Sequence, residues 1–162
     1  MGEAIFVWLK ELEFLSLEMA VFFTAWLPVA ELRAAIPLGI FMGVPPLQAF
    51  LLGIIGNMMP VVPLILFLNP VRNFLKRKSK LMARFFDYLD LRTINKSDHV
   101  QRYGALGLIL FTAIPLPTTG AWTASLAAVL FKIKFSYAVL SITVGVILAG
   151  ILITGASIYL LQ

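Results

Sequence analysis

The chain has 162 residues, 60% of them hydrophobic and 13% charged, with a net charge of +5, a single histidine and no cysteine. It is more apolar, and about half as charged, as a water-soluble domain. Disulfides, thiolate metal centres and thiol catalysis are excluded, and His99 alone cannot furnish a histidine metal cluster.

Residues 3–16 place Ile5, Trp8, Leu9, Leu12 and Leu15 at helical spacing with Lys10, Glu11 and Glu13 between them. The pattern predicts an interfacial helix over 1–16, anchored by Trp8. Its acids stand where a secretory signal would carry a basic n-region. Residues 17–44 are apolar but interrupted by Pro28, Glu31, Arg33, Pro37 and Gly39, and 45–69 read as a full span. Its uncharged stretch PLQAFLLGIIGNMMPVVPLILFL (46–68) is long enough to cross the hydrocarbon layer, which takes ~20 residues. Residues 70–102 form a polar linker rich in Lys and Arg, from Arg72 to Arg102. Its apolar stripe (Val71, Phe74, Leu75, Leu81, Met82, Phe85, Leu89) predicts an amphipathic basic helix on the membrane surface, facing anionic headgroups. Residues 103–131 are apolar and broken at PLPTTG (115–120), and 135–161 form the last full span.

The two halves, 17–69 and 103–162, resemble each other. FTAWLP (23–28) matches FTAIPLP (111–117), and Ala49 and Gly56 fall on Ala138 and Gly145. The arms flanking PLPTTG have about a dozen residues each, roughly 18 Å of helix, which is about half a bilayer. Neither arm crosses alone, so each broken segment is expected to be a re-entrant helical hairpin. One hairpin plus one transmembrane helix gives one crossing per half, so the second half runs inverted relative to the first. The expected fold is therefore an all-α integral membrane protein, a single membrane domain built as an inverted repeat and joined by the amphipathic linker. Four full crossings with a parallel repeat are the alternative. Basic residues mark the cytoplasmic side. The linker and the FKIKF loop with Lys132 and Lys134 are expected there, with both termini outside.

The breaks supply the candidate site. A charge at mid-membrane costs about 2.5–3.5 kcal/mol on insertion scales, so Glu31 and Arg33 need a reason. On a helix, i and i+2 point to different faces; in an extended break they share one. One reading is structural, with Arg33 paired to Glu31 or to carbonyls released by Pro37. The other is functional: Glu31 titrates, and a substrate that engages Arg33 releases Glu31 to take a proton. In the second break, Thr118, Thr119 and Gly120 follow Pro115 and Pro117 and precede a half-helix whose N-terminus suits an anion; Thr118 as a simple N-cap is the compatible alternative. Asn57, between Gly56 and Pro60, is the cavity candidate among the polar residues of the spans. Ser141, Thr143, Thr154 and Ser157 read as helix–helix glue, and the linker charges as solvated or lipid-facing.

The stretch AELRAAIPLGI (30–40) resembles the ELRxAIP-type motif of the small multidrug export protein family, a likeness that extends over nearly the whole chain. The layout is also similar to that of the DedA family, which includes proton-dependent lipid-phosphate translocases. That likeness implies an acidic residue in the first hairpin (Glu31), a Pro/Gly motif in the second (Pro115, Pro117, Gly120) and an arginine in the second hairpin. The chain has no arginine after Arg102, and Arg33 is the charge that would substitute for it from the other half.

These readings converge on a small secondary transporter, proton-coupled, for a small organic or amphipathic substrate. The two hairpin tips are expected to meet near the midplane, with Pro28, Glu31, Arg33, Pro37 and Asn57 on one side and Pro115, Pro117, Thr118, Thr119 and Gly120 on the other. The alternatives are a lipid-phosphate flippase or scramblase, and a non-transporting assembly factor acting through the linker. An enzyme, a metal, a cofactor and a nucleic-acid partner are not expected. The expected setting is the inner membrane of a prokaryote, with lipids as partners and a homodimer as the assembly.

Overall fold

The computed structural model describes residues 17–94, 98–114 and 119–160. The predicted interfacial helix, Pro115, Pro117 and Thr118 lie outside these residues. Every regular element among the described residues is an α-helix: α1 (Leu17–Trp26), α2 (Glu31–Phe41), α3 (Pro46–Met58), α4 (Val61–Lys78), α5 (Lys80–Ile94), α6 (Asp98–Ala113), α7 (Ala121–Leu130) and α8 (Phe135–Leu160). Two stretches are long and apolar enough to cross a bilayer, Pro46–Lys78 and Phe135–Leu160. Large apolar side chains such as Phe67, Leu140, Ile151 and Leu152 are exposed along them. A water-soluble protein does not leave so much apolar surface open, and the chain is an integral membrane protein.

Two boundaries differ from those the sequence suggests. The first break is confined to 27–30, and α2 runs through Pro37. Pro37 removes only the N–H that would reach the carbonyl of Arg33, one turn back in the same helix, and membrane helices tolerate such a loss. The span predicted over 45–69 is two helices, α3 and α4, with a turn at Met59–Pro60. The polar linker then begins inside α4, whose last turn carries Lys76, Arg77 and Lys78 against the negative end of its dipole. Ser79, in extended conformation, separates α4 from α5, and its hydroxyl accepts a hydrogen bond from the Met82 N–H (3.4 Å).

The chain forms two compact units, residues 1–57 with 149–162, and residues 58–148. In the first, the core is Val21, Ala25, Ala35, Val44 and Ala49, with Leu17, Ile40 and Leu52 against it. Glycines set the helix spacing. A Cβ on Gly39 would meet Val21 of α1, one on Gly53 would meet Ile36 and Leu32 of α2, and one on Gly56 would meet the Phe22 carbonyl and Ala25 of α1. In the second unit α4 packs on α5 and α7, and α6 packs on α7. A Cβ on Gly145 would lie 2.6 Å from Thr112 and 2.9 Å from the Ile109 carbonyl of α6.

The same turn closes α2 and α7. After α2, Val44 N–H donates to Gly39 and Gly43 N–H to Ile40; after α7, Ile133 N–H donates to Ala128 and Lys132 N–H to Val129. Both turns pass through positive φ, at Gly43 (96°) and Lys132 (51°). One constant spacing along the chain relates these residues, and it also relates the buried positions Leu32, Ala35, Ile36 and Gly39 of α2 to Ala121, Ala124, Ser125 and Ala128 of α7.

Gly56→Ala is expected to destabilise by about 1–3 kcal/mol, the usual penalty of overpacking, because its methyl would strike the backbone of α1. Gly155→Ala, which meets nothing within 4 Å, serves as the neutral control. Thermal unfolding of both variants in detergent checks the pair.

Candidate functional site

The break between α1 and α2 is short and tightly wound. Leu27 N–H donates to Thr24 (3.2 Å) and Glu31 N–H to Leu27 (3.0 Å). Pro28 lies exposed in the turn. Glu31 then opens α2 with φ at +50°, in the left-handed region, and its side chain is only 6% exposed. Left-handed backbone at a non-glycine residue costs about 1–2 kcal/mol, and such strain concentrates at functional sites. The helix start has no side-chain cap, and the acidic residue of its first turn is Glu31. Arg33 is half-buried and within electrostatic reach of Glu31. Arg33 stands on the regular part of α2, two residues after the left-handed Glu31. The backbone at these residues is α2 and not an extended break.

Asn57 sits in the last turn of α3 and is completely buried, and neither its amide oxygen nor its amide nitrogen has a hydrogen-bond partner among the described residues. An amide without compensation costs roughly 2–7 kcal/mol to bury. The register of α3 on α2 locates it. Ala49 of α3 faces Gly39, and Gly53 faces Ile36 and Leu32, so the two helices run antiparallel. One further turn on the same face of α3 brings Asn57 level with the head of α2, where Glu31 stands. Pro60 cannot donate to the Gly56 carbonyl beside it. Pro37 lies away from this point: with Leu38 and Phe41 it lines an open apolar groove of about 510 Å³ whose other wall is Ile153, Ala156, Ser157 and Leu160 of α8.

The second unit holds its polar groups differently. Thr119 is buried and donates to the Ile114 carbonyl (2.8 Å). The N-cap of α7 is Gly120, whose N–H donates to the Thr123 hydroxyl (3.1 Å), so the predicted capping duty rests on a threonine inside the helix. Thr112 donates to Leu108 and Ser125 to Ala121, each at 2.7 Å. These hydroxyls close on their own helix backbone.

One functional-looking residue escaped the sequence reading. Arg72, expected among the solvated linker charges, is 7% exposed; its Nη1 donates to the Val129 carbonyl at the end of α7 (3.4 Å), and the guanidinium lies 5.3 Å from the Phe86 ring of α5. The available signal was its register: Val61, Ile65 and Arg72 fall on one face of α4, and the first two are fully apolar and buried. Among the described residues no group of three His, Cys, Asp or Glu side chains forms a metal site.

A family model described as "Putative small multi-drug export protein" matches residues 31–152, beginning at Glu31. No curated protein and no solved structure matches the chain.

The strain at residue 31 has a measurable consequence. Glu31→Gly is expected to be more stable than Glu31→Ala by about 1–2 kcal/mol, because only glycine occupies the left-handed region without penalty. Unfolding midpoints of the two variants in the same detergent check the order, and equal midpoints would show a relaxed backbone.

Proposed function

The chain belongs to the small multi-drug export protein family, and from that premise we propose that it is a proton-coupled secondary transporter of a small organic or amphipathic molecule. The observation that carries the proposal is Glu31: a carboxyl group 6% exposed, on strained backbone, in the midst of apolar helices. Membrane proteins keep such a group inside when a proton or a substrate uses it. Burial favours the neutral carboxylic acid and the neighbouring Arg33 favours the carboxylate. A substrate that draws Arg33 away therefore tips Glu31 toward taking a proton, which couples the two binding events. Export is what the family name implies.

We take each helix–break–helix pair, α1 with α2 and α6 with α7, as a re-entrant hairpin of an inverted repeat. The arms support this, since α2 and α7 have 10 to 11 residues each, about half the hydrocarbon thickness. The matching turns after α2 and α7 support the repeat. The break at 115–120, with Pro115, Pro117, Thr118, Thr119 and Gly120, is then the second tip. The basic linker is assigned to the cytoplasmic side of a prokaryotic inner membrane, with both termini outside. Exposed Leu81, Met82, Phe85 and Tyr88 of α5, with Arg84 beside them, suit an anionic lipid surface. A homodimer fits so small a set of helices, and no enzymatic role is assigned.

The apolar groove between α2 and the end of α8 favours a second reading, in which the substrate is a lipid phosphate of the kind DedA-like proteins move. An acyl chain would lie in the groove while Arg33 met the headgroup. In proteoliposomes containing a pH-sensitive dye, a transported compound is expected to drive a proton flux that Glu31→Gln abolishes while folding is retained. Cationic drugs and phosphate lipids, tried in turn, separate the two readings. Unchanged flux in the variant would remove Glu31 from the mechanism.

A further inference from the structure

Within the second unit, α5 carries more apolar surface than its packing uses. It folds back on the end of α4: the Phe86 ring lies 5.3 Å from the Arg72 guanidinium, and Asp87 bridges to Lys76 at 2.9 Å. Phe86 is buried there, and Ala83, one turn before it, is half-buried. At about 3.6 residues per turn, Leu81, Phe85 and Tyr88 share a different face, with Met82 next to Phe85. All four are exposed and line an open groove of about 510 Å³ together with Arg84. Lys80 and Arg84, both exposed, run along one edge of this apolar arc, and exposed Arg77 and Lys78 at the end of α4 add to the positive charge. The one acid between Lys76 and Tyr88 is Asp87, which Lys76 pairs. Arg72 also reaches α7, where its Nη1 donates to the Val129 carbonyl (3.4 Å). The same carbonyl accepts the Lys132 N–H (3.3 Å) in the turn that closes α7.

We propose that α5 senses anionic lipid: docking of its outer arc on a negatively charged membrane surface steadies α7 by way of Arg72. An apolar arc edged by cations suits a helix lying in such an interface, and the apolar stretch Pro46–Lys78 ends where α5 begins. Lys80 and Arg84 meet lipid phosphates while Leu81, Met82, Phe85 and Tyr88 enter the acyl boundary. Docked α5 holds Phe86 under the guanidinium, and the guanidinium holds the Val129 carbonyl. On a neutral surface the electrostatic attraction is lost, α5 is held less firmly, and the turn after α7 opens more often. Since α7 starts at the second break, the charge of the surrounding lipid sets how firmly one side of that break is held. This rests on the assignment of α5 to the lipid surface, and needs neither Glu31 nor a transported molecule.

The chain has no cysteine, so Leu81→Cys gives a single site for an environment-sensitive fluorophore. The full chain is reconstituted in vesicles of phosphatidylcholine alone, or of equal parts phosphatidylcholine and phosphatidylglycerol. Amide hydrogen exchange of the unlabelled chain is followed in the same vesicles. Anionic lipid is expected to shift the label to a more apolar setting. It is also expected to slow exchange in α7 and its closing turn by about fivefold, the weight of one basic residue at such a surface. Lys80→Gln combined with Arg84→Gln, both at exposed positions, is expected to abolish both effects. Arg72→Met is expected to keep the fluorescence shift and lose the slowing. A label indifferent to lipid charge overturns the docking of α5 and this inference with it. A label that shifts while α7 exchange stays the same overturns the transmission alone, a comparison that the wild-type backbone decides even where Arg72→Met does not fold. Equal slowing in α2 would mark a general effect of the bilayer and overturn the proposal as well.

Discussion

A helix that breaks inside hydrocarbon must bury its broken backbone against protein, because lipid offers no hydrogen-bond partner. The described helices pack through small contact surfaces. Ala25, Ala35, Ala49, Ala121, Ala124, Ala128 and Ala138 are all fully buried, while Phe41, Leu47, Leu126 and Leu140 point outward. Leu32, Ile36 and Ile142 fill the space between these small residues. Between membrane helices there is no hydrophobic gain from hiding a leucine that would otherwise touch lipid, so close backbone approach decides the packing. Gly56 against the Phe22 carbonyl and Gly145 against the Ile109 carbonyl are the tightest expressions of it.

On this shared frame the two units spend their polarity differently. The hydroxyls of the second unit are satisfied by carbonyls of the preceding turn, an arrangement that adds little beyond local bending and packing. The first unit carries the carboxyl of Glu31, the guanidinium of Arg33 and the amide of Asn57, and the second unit has a buried guanidinium of its own in Arg72, which donates to the Val129 carbonyl. The positions of Glu31, Arg33 and Asn57 correspond in the other half to Gly120, Trp122 and Val146. A frame that folds with apolar residues at those points has no structural need for charge there, and that contrast favours a functional reading of Glu31 over a structural one.

Much of the frame was legible in the sequence, because helix length, apolar runs and the paired breaks are properties of composition and spacing. The likeness of Ala49 with Ala138 and of Gly56 with Gly145 already gave the spacing at which the turns recur. The extent of the first break was not legible. Pro37 looks like a breaker, and only the position of its missing partner, the Arg33 carbonyl in the same helix's first turn, makes it harmless. The kink at Met59–Pro60 was hidden by an unbroken run of apolar residues that satisfies any span criterion. Glu31, Arg33 and Asn57 stood out as polar residues in apolar sequence. The left-handed backbone of Glu31 did not, since glutamate carries no local signal for it. The grouping of Asn57 with the head of α2 depends on helix register, which only the packed structure supplies.

Arg72 shows how the linker belongs to the second unit mechanically. A linker of solvated charges would be a loose tether, free to move independently of the helices it joins. Instead a buried guanidinium on α4 reaches the carbonyl end of α7 and lies over an aromatic ring of α5, and Lys76 bridges α4 to Asp87 of α5 at 2.9 Å. The exposed half of that bridge adds little, as surface ion pairs do. The buried arginine matters more, because removing one partner strands a cation or a helix terminus where water is scarce. α4, α5 and α7 are thereby held as one piece. Any displacement of α7 is then also a displacement of α5, so the basic helix follows the second break and cannot act as a passive hinge beside it.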